Sequence, residues 1–104
     1  MGMREPWKIN VDLDGTLCES TSPDKYAYAK PKVDEIAKCN KLHDMGHFIQ
    51  IYTARSWAMY DLTIRWLLQN GVKFDILVCG KLLGHANIDD MNCTFEELIE
   101  RLSK

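Results

Sequence analysis

The stretch Lys8-Ile9-Asn10-Val11-Asp12-Leu13-Asp14-Gly15-Thr16 decides how the rest of the chain is read. A short apolar run through Leu13 reads as a first β-strand. It ends in two carboxylates, and Gly15 allows a tight turn immediately after them.

Working outward from that strand, helical and strand patterns alternate. Residues 17 to 30, LCESTSPDKYAYAK, are rich in turn formers and tyrosine and predict a loop or flap. Pro31 suits the first turn of a helix, and Val33, Ile36, Ala37 and Leu42 follow at helical spacing until Met45-Gly46. His47 to Tyr52 predicts a second strand, stopping at Thr53. A second helix is expected from about Trp57 to Asn70, closed by Gly71, and a third strand from Phe74 to Cys79, stopped by Gly80-Lys81. Ala86-Asn87-Ile88 predicts a short fourth strand leading into Asp89-Asp90, with the polar Asn87 read as a local adjustment of that strand or as a hydrogen-bond partner of the first carboxylate motif. Thr94-Phe95-Glu96-Glu97 is a capping box ahead of a last helix that carries Leu98, Ile99 and Leu102.

Strands alternating with helices are the pattern of an α/β fold, a parallel sheet covered by helices. Right-handed crossovers bring the carboxyl ends of such strands to one edge, where ligands bind in open α/β sheets. Asp12 and Asp14, Thr53, Lys81, and Asp89-Asp90 all fall at predicted strand ends. Four separate pieces of chain therefore deliver polar groups to one edge.

Composition narrows the function classes. The chain has 104 residues, enough for a single domain over residues 1–104. Hydrophobic residues make up 46% and charged residues 27%, as in ordinary globular domains. Thirteen Lys+Arg against fifteen Asp+Glu gives a net charge of −2, so no basic excess is present to grip nucleic acid. No apolar run approaches a membrane span, and MGMREPWKIN lacks the pattern of a secretory leader. The four cysteines form no CxxC pair and no zinc spacing, and the three histidines are scattered. A cytoplasmic chain with reduced, mostly buried thiols is expected.

The carboxylates carry the chemistry. Two like charges about 4 Å apart repel by several kcal/mol even at an effective dielectric of about 20. A cluster of Asp12, Asp14, Asp89 and Asp90 thus needs protonation or a cation. Oxygen-only ligands favour a hard divalent ion, and Mg²⁺ needs only one or two carboxylates with water and substrate oxygens. With such an ion and Lys81 the edge would admit a phosphate dianion. One carboxylate can take a phosphoryl group as a nucleophile, and a second can handle the leaving group's proton. Thr53 and Lys81 are suitable partners for phosphoryl oxygens.

These residues resemble the haloacid dehalogenase (HAD) superfamily. Asp12-Leu13-Asp14-Gly15-Thr16 is similar to its DxDGT first motif, Thr53 in IYTAR to its second, Lys81 in CGK to its third, and Asp89-Asp90 in NIDD to its acidic fourth. The motifs arrive in family order from position 12 to position 90. The resemblance implies a three-layer Rossmann-like fold of about four strands in the order 3-2-1-4. It implies Asp12 as nucleophile and metal ligand, and Asp14 as general acid/base and backbone-carbonyl ligand. It also implies Mg²⁺ held with Asp89 and Asp90, either of which could be the direct ligand. Asp14 argues against dehalogenase chemistry, where the second aspartate is generally missing. Gly15 to Thr53 is consumed by loop, helix and strand, and Thr53 to Lys81 by helix and strand, so no cap domain fits between the motifs. The subclass it is similar to is a capless HAD phosphatase, a Mg-dependent phosphomonoesterase working through an aspartyl-phosphate.

Several readings stay open beside this one. Thr53 could be a helix N-cap, and Lys81 an ordinary surface lysine. Gly15, Thr16 and Arg55 are candidate substrate contacts. A cation near a helix's positive end hints at an anion, but a solvated or ion-paired Arg55 is the other reading. Trp57, Tyr26, Tyr28 and His85 could line the substrate entrance or simply pack. Two rival functions are a receiver-like signalling module that accepts phosphate, and a catalytically silent HAD fold used for binding. The partner is a phosphorylated substrate whose identity has no readable code. A homo-oligomer that roofs the open site through Trp57, Met59 and Tyr60 is also compatible.

Overall fold

The structure, a computed structural model, describes residues 5–81 and 94–103. It is an α/β arrangement of three parallel strands with helices. Strand β1 is Lys8–Val11, helix α1 Val33–Asp44, strand β2 Phe48–Tyr52, helix α2 Tyr60–Gln69, strand β3 Ile76–Val78 and helix α3 Phe95–Leu102. Two 3₁₀ turns, Pro23–Tyr28 and Trp57–Met59, precede α1 and α2 respectively.

Strand β2 is central. Val11 pairs with Ile51 on one side, and Ile51 with Leu77 on the other. The described order is therefore β1-β2-β3. Ile49 and Ile51 point alternately to the same face and are fully buried there, as the period of two requires. Leu13 and Leu17 beyond β1, Ile36 and Cys39 of α1, Trp66 and Leu67 of α2, and Leu77 of β3 complete that core.

The elements differ from expectation mainly at their ends, each for a local reason. His47 does not start β2: its backbone N–H donates to the Leu42 carbonyl at the end of α1 at 3.3 Å, while its ring Nδ1 accepts the Trp7 N–H at 3.0 Å. Strand β3 begins at Ile76 rather than Phe74. The Asp75 carboxylate accepts the Ile49 N–H at 2.7 Å while the Asp75 N–H donates to the Ile49 carbonyl at 2.8 Å, so side chain and backbone together hold Ile49 where the ladder begins. The second helix opens as a 3₁₀ turn, capped by Ser56 Oγ accepting from Ala58 N–H. The cap of α3 forms at Thr94, whose hydroxyl oxygen accepts from Glu97 N–H at 3.2 Å.

The segment 17 to 30 is more ordered than a flap. Cys18 bridges to both Asp14 and Pro31, and the Trp66 indole donates to the Ala29 carbonyl at 2.9 Å. The segment is thus tied to β1's end and to α2. The expected fourth strand at Ala86-Asn87-Ile88 lies outside the described residues. Among the described residues no helix is long and apolar enough to cross a membrane.

Candidate active site

The chain leaves β1 at Val11 and turns sharply. Gly15 has φ +85°, a left-handed conformation that costs glycine nothing. Its N–H donates to the Cys18 carbonyl at 2.8 Å, and Leu17 and Thr16 donate back to Leu13. This turn leaves Asp12 and Asp14 on the outer end of the strand.

The strands' continuations are stitched beyond the sheet. Thr53 N–H donates to the Val78 carbonyl, Lys81 N–H to the Thr53 carbonyl at 2.9 Å, and Gly80 N–H to the Arg55 carbonyl at 2.7 Å. That stitching carries Lys81 across to β1's end, where its Nζ lies 3.6 Å from Asp12 Oδ1. Lys81 also lies 5.4 Å above the Tyr52 ring. Asp12 is the open member, its side chain 47% exposed, with Oδ1 also accepting the Leu13 N–H at 2.9 Å.

Asp14 is held differently. Arg55 donates from Nε to Asp14 Oδ2 at 2.9 Å and from Nη2 to Oδ1 at 2.7 Å, a two-pronged charge-assisted pair. Arg55 Nη1 donates to the Thr63 hydroxyl at 3.1 Å, and Arg55 Cζ stacks 3.8 Å over the Tyr26 ring. The Cys18 thiol adds a contact to Asp14 Oδ1 at 3.6 Å. The Arg55 side chain is 0% exposed and that of Asp14 26%.

Arg55 therefore departs from the expectation of substrate contact. Its side chain is sealed from solvent and its donors face Asp14 and Thr63, because burying a guanidinium requires its N–H groups to find acceptors. Of the two readings of Arg55, the ion-paired one fits the geometry, but the pair is interior. Thr53 is buried too, and its hydroxyl accepts the Arg55 N–H at 3.2 Å, a local turn; the helix cap expected of it falls instead at Ser56, three residues on. Tyr26 packs on Arg55, and Trp57 stacks on Tyr60 with ring centroids 5.7 Å apart.

Gly15 and Thr16 border a cleft of about 420 Å³ whose other walls are Lys32, Val33, Asp34 and Glu35. Lys32 Nζ donates to the Gly15 carbonyl at 3.0 Å across it. Asp12 and Lys81 are not in its walls, so the cleft flanks the carboxylates without containing them. Asp89, Asp90, His85 and Asn87 lie outside the described residues. Among the described residues no three of His, Cys, Asp or Glu are grouped so as to hold a metal ion.

Burial governs the thiols. The Cys18 thiol is pushed up to about 11, first by burial and then by the Asp14 charge. Cys39 and Cys79 are raised by burial as well.

The part that residue-by-residue reading missed is the Asp14–Arg55–Thr63 network. Thr63 on the buried face of α2 was the available signal, since a buried hydroxyl needs a partner.

Comparisons with known proteins add the fold. No protein-family model matches the chain, and no curated protein matches it. An MCSG target from Vibrio cholerae, known from its crystal structure, has a TM-score of 0.65 and 29% identity, over 93% of this chain and 98% of its own. A chain of the Pnkp1/Rnl/Hen1 complex has a TM-score of 0.64 and 19% identity, over 91% of this chain and 34% of its own. A chain of the Pnkp1/Rnl/Hen1 RNA repair complex has a TM-score of 0.64 and 18% identity, over 93% of this chain and 30% of its own. The present chain spans about a third of the length of the last two.

Proposed function

We propose that this chain is a Mg²⁺-dependent phosphomonoesterase of the HAD superfamily, a capless three-layer core with a fourth strand beside β1 in the order 3-2-1-4. The observation that carries the reading is the meeting of Asp12 with Lys81 at 3.6 Å on the strand ends, with Asp14 two residues further along the chain. An open carboxylate beside an ammonium is what an in-line attack on a phosphoryl group requires.

The donor set fits a hard cation: the exposed Asp12 carboxylate offers oxygen, and the backbone carbonyl of Asp14 and the carboxylates of Asp89 and Asp90 would be its partners. When bound, Mg²⁺ neutralises the edge and polarises the phosphoryl oxygens. An Asp12 oxygen attacks phosphorus, and the bond to the ester oxygen breaks with its electron pair leaving on that oxygen. Asp14 gives its proton to the departing alkoxide, then takes one from the water that cleaves the aspartyl-phosphate. Lys81 balances charge on the phosphoryl oxygens as they approach Asp12.

The test is release of inorganic phosphate in Mg²⁺ across sugar phosphates, nucleotides, phosphoamino acids and phosphoproteins. Asp12→Asn abolishes it, and Asp14→Asn reduces it severely. Full activity in purified Asp12→Asn overturns the reading. A single long-lived phosphorylation without turnover favours the receiver-like alternative, and no phosphorylation at all favours a silent binding fold.

A further inference from the structure

Arg55 is a group that the proposed chemistry does not use. It carries the strongest set of contacts at the edge, yet touches no solvent. Its guanidinium is fixed on three sides: by Asp14 in front, by the Thr63 hydroxyl on α2, and by the Tyr26 ring above. Such a mounting turns a flexible side chain into a rigid fork.

We propose that Arg55 is a positioning residue that aims Asp14 for proton transfer, an inference that rests on the phosphatase reading. An ionised carboxylate has about four acceptor positions, two on each oxygen. Arg55 Nη2 takes one on Oδ1, the Cys18 sulfur, whose proton is shared between Oδ1 at 3.6 Å and the Leu13 carbonyl at 3.7 Å, covers the other, and Arg55 Nε takes one on Oδ2. One position on Oδ2 is left; in the acid form of Asp14 the proton occupies it, taken from the water of the preceding turnover, and from there it goes to the ester oxygen. As the ester oxygen–phosphorus bond breaks, that oxygen accepts the proton, and Asp14 is left as a carboxylate already paired with Arg55. The next proton arrives at the same atom from the attacking water. Holding one oxygen atom in one direction is a positional effect, and small misplacements at such a site are costly in rate.

Cys18 does not compete as a proton donor, since it is buried behind Asp14. Tyr26 comes from the segment 17 to 30, so that segment contributes to the aim of Asp14 without touching the reacting atoms.

The test uses the full chain with Mg²⁺ and compares phenyl phosphate with dinitrophenyl phosphate, whose leaving groups differ in basicity. A dinitrophenolate leaves without a proton, so only the phenyl ester needs Asp14 in the first step. In Arg55→Lys, kcat/KM for phenyl phosphate falls by about 100-fold, as general-acid catalysis is lost, while that for dinitrophenyl phosphate changes by less than about threefold. Equal losses on the two esters overturn the inference and leave the phosphatase reading standing. Thr63→Val, which removes only the hydroxyl behind Nη1, shows the same inequality in weaker form, and serves if Arg55→Lys does not fold.

Proton–nitrogen NMR of the wild-type chain without Mg²⁺ supplies a readout independent of activity. The Arg55 Nε–H resonance is protected from exchange, and it loses protection in Asp14→Asn. A wild-type spectrum without any protected arginine Nε–H overturns the fork itself. Absence of phosphate release from every ester by the wild type, with the protected resonance present, overturns the phosphatase reading and with it the catalytic purpose of the fork.

Discussion

The Arg55–Asp14 pair has an asymmetry that stability measurements can read. The two partners are buried to different depths, with side chains 0% and 26% exposed. Breaking a buried ion pair by removing one partner costs about 3–5 kcal/mol, because the other is left charged and uncompensated. Removing the guanidinium in Arg55→Met leaves Asp14, which water reaches in part, so the loss belongs at the lower end, about 3 kcal/mol. Removing the carboxylate in Asp14→Ala leaves a guanidinium with no water and only Thr63 as an oxygen acceptor, so the loss belongs at the upper end, about 5 kcal/mol. The double variant loses less than the sum by about 2–3 kcal/mol, since the second removal takes away a group already unpaired. Guanidinium chloride unfolding followed by tryptophan emission gives these free energies. A domain of this size has about 5–15 kcal/mol in all, so Asp14→Asn is the milder substitute should Asp14→Ala not fold. The exposed pair of Lys73 and Asp44, at 2.7 Å, is the internal control, and Lys73→Ala costs at most about 1 kcal/mol. If Asp14→Ala proves cheaper than Arg55→Met, or the coupling lies below about 0.5 kcal/mol, the fork does not hold the loop as argued.

Two further outcomes follow from local geometry and from burial. Gly80 has φ +75°, and a Cβ there would sit 2.9 Å from the Trp57 indole nitrogen, so Gly80→Ala costs about 1–2 kcal/mol and shifts Trp57 emission. Unchanged stability with unchanged emission refutes that contact. The raised thiol of Cys18, about 11 in the folded chain, makes stability fall with rising pH. The unfolded chain releases this proton near the ordinary value of about 8.5–9, so between there and about 11 it holds fewer protons than the native state. The contribution is fully present below that window, and its loss across it is roughly 3 kcal/mol. Alkaline unfolding titrations check this, and Cys18→Ala flattens the fall; an equally steep fall in that variant refutes it.

What could be read from the sequence was what is local in it. A strand that stops in carboxylates and glycine is decided by neighbouring residues, and β1, β2, β3 and the three helices follow that rule to within their ends. The ends themselves moved because backbone groups there took other partners, as the Ile49 N–H did with the Asp75 carboxylate and the His47 N–H with the Leu42 carbonyl, and nothing in periodicity encodes such exchanges. The meeting of Asp12 and Lys81 was legible for a different reason. A parallel sheet with right-handed crossovers must bring strand ends to one edge, so topology supplied what distance in the sequence withheld. Arg55 was not legible by either route. It stands 41 positions from Asp14, and the strand-end argument treats it as one more polar group on the edge, facing out. Its direction is set by Thr63 and Tyr26, one buried on α2 and the other on the 3₁₀ turn, neither of them on a strand. A charged residue at a strand end thus has two destinations, the ligand or a neighbouring catalytic group. The choice belongs to whichever elements offer it buried acceptors. Here those acceptors lie behind the loop, so the cation at this edge that stands beside the open Asp12 is Lys81, and the cation that faces inward is bound to Asp14.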